Sequence, residues 1–232
     1  MCTIKKGCFN NTNSKEGVAM KKILSIFVIV ISLIFTEYRY FTLYSYAASN
    51  NNEVTVENTY IIPDCVNHSN RYVILAINNS SFPIEVTAIF KANGKDGDEL
   101  QCTDTIEAIE AGQKFILYGS FKQKDLAENP NYLYDITSNK LSSNATTAYD
   151  SIELELNKGD NYLQVTGINN ASYKADVSVR AIFFDNEKPI SFEWVNLATN
   201  GYQLEGGSCN TQDLWCLQNF NNWIITYTAV CK

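Results

Sequence analysis

Apolar and polar residues alternate along much of the chain at the period of two that marks half-buried β-strands. Ile84, Val86, Ala88 and Phe90 share one face, while Glu85, Thr87 and Lys91 share the other. The same design recurs in Ala175, Val177, Val179, Ala181 and Phe183. Each run follows a similar turn, Ile77-Asn78-Asn79-Ser80-Ser81-Phe82 in the first case and Ile168-Asn169-Asn170-Ala171-Ser172-Tyr173 in the second. The two turns lie 91 residues apart, since 168 less 77 is 91. A repeat at the length of one small β-sandwich predicts an all-β chain made of two copies of one module.

Further strands follow from the same spacing. In the first copy Tyr72, Ile74 and Ala76 share a face, residues 100–109 return after Asn93-Gly94 and Asp96-Gly97, and Ala111-Gly112 makes the next turn. Residues 115–120 and 132–136 complete that copy. In the second, Ile152, Leu154 and Leu156 open, Leu163, Val165 and Gly167 follow, and residues 189–195 return after Asp185-Asn186-Glu187. Leu204-Glu205-Gly206-Gly207 matches Ile109-Glu110-Ala111-Gly112, and Trp223, Ile225 and Tyr227 lie in the final strand. The expected organisation is two tandem immunoglobulin-like β-sandwich domains, residues 49–144 and 145–232, joined near Asn144.

The N-terminus reads differently. Lys21 and Lys22 precede an apolar run over residues 23–35, and Ser45-Tyr46-Ala47-Ala48 supplies small residues for a cut after Ala47. Residues 20–48 are therefore expected to be a secretory signal peptide, because a 13-residue run is short of the ~20 needed to span a bilayer. Residues 1–19 put a polar stretch ahead of this segment, and translation is expected to start at Met20.

Export changes how charge and cysteine are read. Residues 1–48 hold six of the 18 basic and two of the 25 acidic residues, which leaves 12 and 23 and a net charge of −11. Such an acidic chain is a poor partner for nucleic acid or anionic lipid. Five cysteines remain, and outside the cytosol they are expected to pair. The most economical pairing is Cys65–Cys102 and Cys209–Cys216, with Cys231 free near the C-terminus and able to link two chains. A Cys216–Cys231 bridge is the rival. No Cys or His pair has metal-ligand spacing, so no metal or cofactor is expected.

The strand Val177-Ser178-Val179-Arg180-Ala181-Ile182-Phe183-Phe184-Asp185, preceded by Asn169-Asn170-Ala171-Ser172 and followed later by Gly206-Gly207, resembles the FxLYD-type domains. These are small Ig-like domains on exported proteins of Gram-positive bacteria. The first copy departs from the pattern where Phe90-Lys91-Ala92 replaces the aromatic-Asp end. The resemblance spans about 160 residues and implies an Ig-like fold in an accessory or surface-presentation module. It carries over no enzymatic residue.

Candidate chemistry is sparse. His68, the single histidine, lies in a polar loop, and no G-x-S-x-G elbow accompanies it. Glu85, Asp176 and Glu193 are expected on outward, solvated strand positions rather than as a hydrolytic pair. Asn93, Asp96, Asp98 and Glu99 read as a hairpin turn without EF-hand spacing. The aromatic set Tyr202, Trp215, Phe220 and Trp223 surrounds the expected Cys209–Cys216 loop. Phe220 and Trp223 are expected to fill the second core, with Trp215 covering its end. The rival reading makes Tyr202 and Trp215 a candidate contact surface, because exposed aromatics give large contact area at small entropic cost.

These readings point to an exported, non-enzymatic binding or presentation module, secreted or held at the outer face of the membrane by an uncleaved signal segment. Its ligand is expected to be a protein or a glycan. A secreted factor that regulates or inhibits a partner protein is the alternative, and a secreted hydrolase ranks third.

Overall fold

The computed structural model describes residues 53–141 and 145–231, and these lie within one compact unit. The expected start at Met20, the signal segment 20–48 and the boundary near Asn144 fall outside the described residues. The first half holds six strands: β1 (Val54–Asp64), β2 (Ser69–Asn78), β3 (Ile84–Asn93), β4 (Glu99–Ile109), β5 (Lys114–Lys122) and β6 (Tyr132–Lys140). The second half opens with the two-residue β7 (Thr146–Thr147). It continues through β8 (Ile152–Lys158), β9 (Tyr162–Asn169), β10 (Asp176–Asp185), β11 (Lys188–Leu197), β12 (Cys209–Trp215) and β13 (Asn222–Cys231). All pairings are antiparallel.

The strand order repeats. In the first half β1-β2-β5 faces β4-β3-β6, and in the second β8-β9-β12 faces β11-β10-β13, with β7 added beyond β13. Each pair of sheets encloses its own core. Tyr72, Ile74, Val86, Ala88, Phe90, Phe115 and Leu117 fill the first, and Leu163, Val165, Val179, Ala181, Phe183 and Phe220 fill the second. Three strands escaped the alternation pattern. β1 slips register between Val56 and Asn58, which breaks the period of two. The edge strand β12 is largely polar, and β7 is only two residues long.

The repeated Asn-Asn turns have a common cause. Asn78 is fully buried, and its Nδ2 donates to the carbonyls of Phe82, Ile109 and Glu110 at 3.0–3.2 Å. Its Oδ1 accepts from the Ser80 N–H. Asn169, also fully buried, donates to the carbonyls of Tyr173 and Leu204 and accepts from the Ala171 N–H. Gly112 and Gly207 both adopt positive φ and donate their N–H groups to the Asn78 and Asn169 carbonyls. One asparagine thus ties two loops together in each half.

The halves are stacked face to face. The outward side of β1-β2-β5 contributes Ile62, Val73, Leu75 and Ile116, and the outward side of β10 and β11 contributes Ile182, Phe184 and Phe192. Burying each such side chain is worth roughly 1.5–3 kcal/mol, so the halves cohere without a covalent cross-link. Polar pins surround this apolar layer. Arg180 reaches across to Asp104 at 2.5 and 3.1 Å and to the Ile116 carbonyl at 2.7 Å, and its guanidinium sits over the Tyr118 ring. Gln113 donates to the Tyr227 carbonyl on one sheet edge, and Arg71 donates to the Phe192 carbonyl on the other.

Pairing registers show why the stack forms between these faces. With Phe90 equivalent to Ala181, the interface residues Ile182, Phe192 and Ile224 have Lys91, Gln101 and Leu133 as counterparts. Lys91 there forms ion pairs with Glu99 and Asp135. Conversely Val73, Leu75, Ile116 and Tyr118 become Gln164, Thr166, Thr211 and Asp213 in the second half. Each half keeps one apolar outer face and one more polar one, and it is the two apolar faces that meet.

Candidate functional site

Two surfaces concentrate chemistry. The first is a cleft of about 200 Å³ where the halves meet, lined by Asp64, Cys65, Val66 and Arg71 from one side and Ser191, Glu193, Leu217 and Gln218 from the other. Val66 and Leu217 stand exposed at its rim. Arg71 forms an ion pair with Asp64 at 2.6 Å and another with Glu193 at 3.7 Å. Burial alone would raise the Asp64 carboxyl, but hydrogen bonds from Asn67 and the charge of Arg71 win and hold it below its ordinary value. At Glu193 burial wins, and its carboxyl titrates above 4.5 despite Arg71 and Ser191.

Glu193 therefore lies in a half-buried cleft rather than on the solvated face expected of it. Its strand neighbour is Ala181, whose side chain is buried in the second core. The linkage has a definite sign. The folded chain holds the Glu193 proton more tightly than the unfolded chain, so its contribution to stability declines as pH rises from 4.5 through the raised value. Asp64 works in reverse, adding stability above 3.8 that is lost as pH falls through its depressed value. Glu193→Gln is expected to flatten the first of these slopes. Thermal melts of both forms between pH 4 and 7 check this, and parallel curves would refute it.

The second surface is the outward side of β8-β9-β12. Alternation along β9 turns Leu163, Val165 and Gly167 inward and leaves Tyr162, Gln164 and Thr166 outward. On β12 the outward residues opposite them are Trp215, Asp213 and Thr211, and β8 adds Glu153, Glu155 and Asn157. Trp215 is 59% exposed and packs against Tyr162 with ring centroids 5.1 Å apart. Gln164 donates to Asp213 at 3.1 Å, and the Thr166 and Thr211 hydroxyls share a 2.8 Å bond.

Not every expected site residue takes part. Phe220 is buried and Trp223 packs against the same core, as the pattern suggested. Trp215 does not cover the end of that core. Tyr202 is 86% exposed, but it sits in the turn between β11 and β12, which leads into the opposite end of β12 from Trp215. The two are not one patch. Tyr162, the true neighbour of Trp215, was legible as the residue alternating with Leu163.

The cysteines also depart from expectation, and all five described are free thiols. Because β12 runs extended between Cys209 and Cys216, their backbones lie about 20 Å apart or more, far beyond bridging reach. Cys65 is exposed in the β1–β2 turn. Cys102 lies opposite Phe90 and meets the space above Gly119, and burial raises its thiol. Cys231 is half-buried rather than exposed, pairing with Thr146 against the second core. Burial raises its thiol and that of Cys216. His68 is exposed at positive φ in the β1–β2 turn. The loop carrying Asp96 and Asp98 closes as a turn through Gly94 N–H to the Asp98 carbonyl. No helix among the described residues is long and apolar enough to cross a membrane.

The fold thus defines an all-β chain of paired antiparallel sheets. No protein-family model matches it, and no curated protein does. Among solved structures it is similar to a red sea bream transglutaminase, at 6% identity and a TM-score of 0.26. The similarity covers 78% of this chain and spans only 29% of that one, and it carries no argument about activity.

Proposed function

We propose that this chain is an exported, non-enzymatic binding module made of two tandem immunoglobulin-like sandwiches, acting at the bacterial cell surface or in the medium. The observation that carries the reading is the exposed Trp215 resting on Tyr162 at the outer face of β8-β9-β12. An indole left in water has no value to the core, whereas at an interface it supplies a large, stiff contact. In the first half, the equivalent face is the one that receives a partner, namely the second half itself. Tyr162 stands at the position of Arg71, which clamps that partner. The same sheet face therefore docks internally in one copy and is turned outward in the other. The resemblance to surface-presentation domains agrees with this use.

The variant Trp215→Ala is expected to abolish saturable attachment to cells or their isolated envelope while shifting the melting temperature by no more than about 2–4 °C, the equivalent of roughly 1 kcal/mol. A loss of 3–5 kcal/mol, the cost of emptying a core aromatic site, would make Trp215 structural and overturn the reading. So would undiminished attachment.

A further inference from the structure

We infer that the outer face of β8-β9-β12 takes a glycan carrying free amines, a polymer of hexosamine residues whose amino groups are not acylated. The inference rests on the binding role just proposed for Trp215 and names its ligand class. Three features of the face lead there.

The first is its charge. Glu153, Glu155 and Asp213 project from it, and the other outward residues of the three strands, Cys209 and Ile168 at one end through Tyr162 and Trp215 at the other, include no cation. An anionic sugar or a phosphate-bearing polymer would meet like charge, whereas an ammonium group would meet a carboxylate.

The second is the aromatic pair. Pyranose rings present flat C–H faces that stack on an indole, and an ammonium beside the ring gains a cation–π attraction as well. Asp213 is two residues from Trp215 on the same strand face, about 7 Å away along β12. One amino-sugar unit can therefore stack on Trp215 while a neighbouring ammonium reaches Asp213. The hydrogen bond from Gln164 fixes one oxygen of that carboxylate in place.

The third is the texture of the rest. Asn157, Gln164, Thr166 and Thr211 set amides and hydroxyls side by side across three strands about 4.8 Å apart. Groups that both donate and accept suit a ligand with hydroxyls along its length. Basic peptides usually dock at sheet edges or in apolar grooves, and this face is neither.

The probes are a glucosamine hexamer and its fully N-acetylated counterpart, titrated calorimetrically into the chain, with binding to isolated envelope measured in parallel. Binding of the amine form at least tenfold tighter than the acetylated form supports the inference. It should weaken as salt rises. It should be lost in Trp215→Ala and reduced in Asp213→Asn with the melting temperature kept. Equal binding of both oligomers would overturn the role of the amine and leave a glycan module. Binding to neither, with envelope attachment that still depends on Trp215, would overturn the glycan class and spare the proposed function. If Trp215→Ala changes nothing in any assay, both fall.

Discussion

Asn78→Asp is expected to destabilise the chain by roughly 3–5 kcal/mol, because it turns a buried donor into a carboxylate oxygen facing three carbonyls. No relaxation of one side chain can satisfy them, since Phe82, Ile109 and Glu110 belong to two different loops. Asn169→Asp sets the same conflict against the carbonyls of Tyr173 and Leu204. The neighbouring Asn79 supplies the control. It is exposed, and Asn79→Ala should cost less than about 1 kcal/mol. Chemical denaturation of the three variants checks this. If Asn78→Asp proved no worse than Asn79→Ala, the corner would owe its shape to Ser80 and to Gly112 of the facing loop instead.

Arg180→Leu is expected to cost roughly 3–5 kcal/mol, the penalty for leaving the half-buried Asp104 without its cation. The guanidinium is held on all sides by Asp104, the Ile116 carbonyl and the Tyr118 ring, so its loss is felt across the stacked faces. A paired change, Arg180→Leu with Asp104→Leu, should recover much of the loss because no charge is stranded. The difference between the single and double variants in a denaturation cycle gives the coupling. Additive losses would mean the pair contributes little beyond the apolar layer of Val73, Leu75, Ile182 and Phe192.

These two variants separate what each half does alone from what joins them. The asparagine corner lies within one half and is written twice in the sequence. The Arg180 pin exists once, since its counterpart in the first half is Ile89, on a face whose neighbour Lys91 is paired to Glu99 and Asp135. The two halves therefore differ at the positions where they meet.

The periodicity of side chains determined most of the strands, because a half-buried strand must alternate, and the Asn-Asn and Gly turns marked where they reverse. The same alternation carried the signal for Tyr162, the residue before inward Leu163, although only the structure set it beside Trp215. Strands such as β1, bulged between Val56 and Asn58, and β12, polar along an edge, gave no such signal. Only the tertiary structure decided which of two outer faces meets which. Alternation says that Val73 and Leu75 lie on one side of a strand, not that Phe192 covers them. It also decided that β12 holds Cys209 and Cys216 apart, that Glu193 is drawn into a cleft by Arg71, and that Trp215 faces water beside Tyr162. Those outcomes depend on neighbours far apart in the chain, which local spacing does not encode.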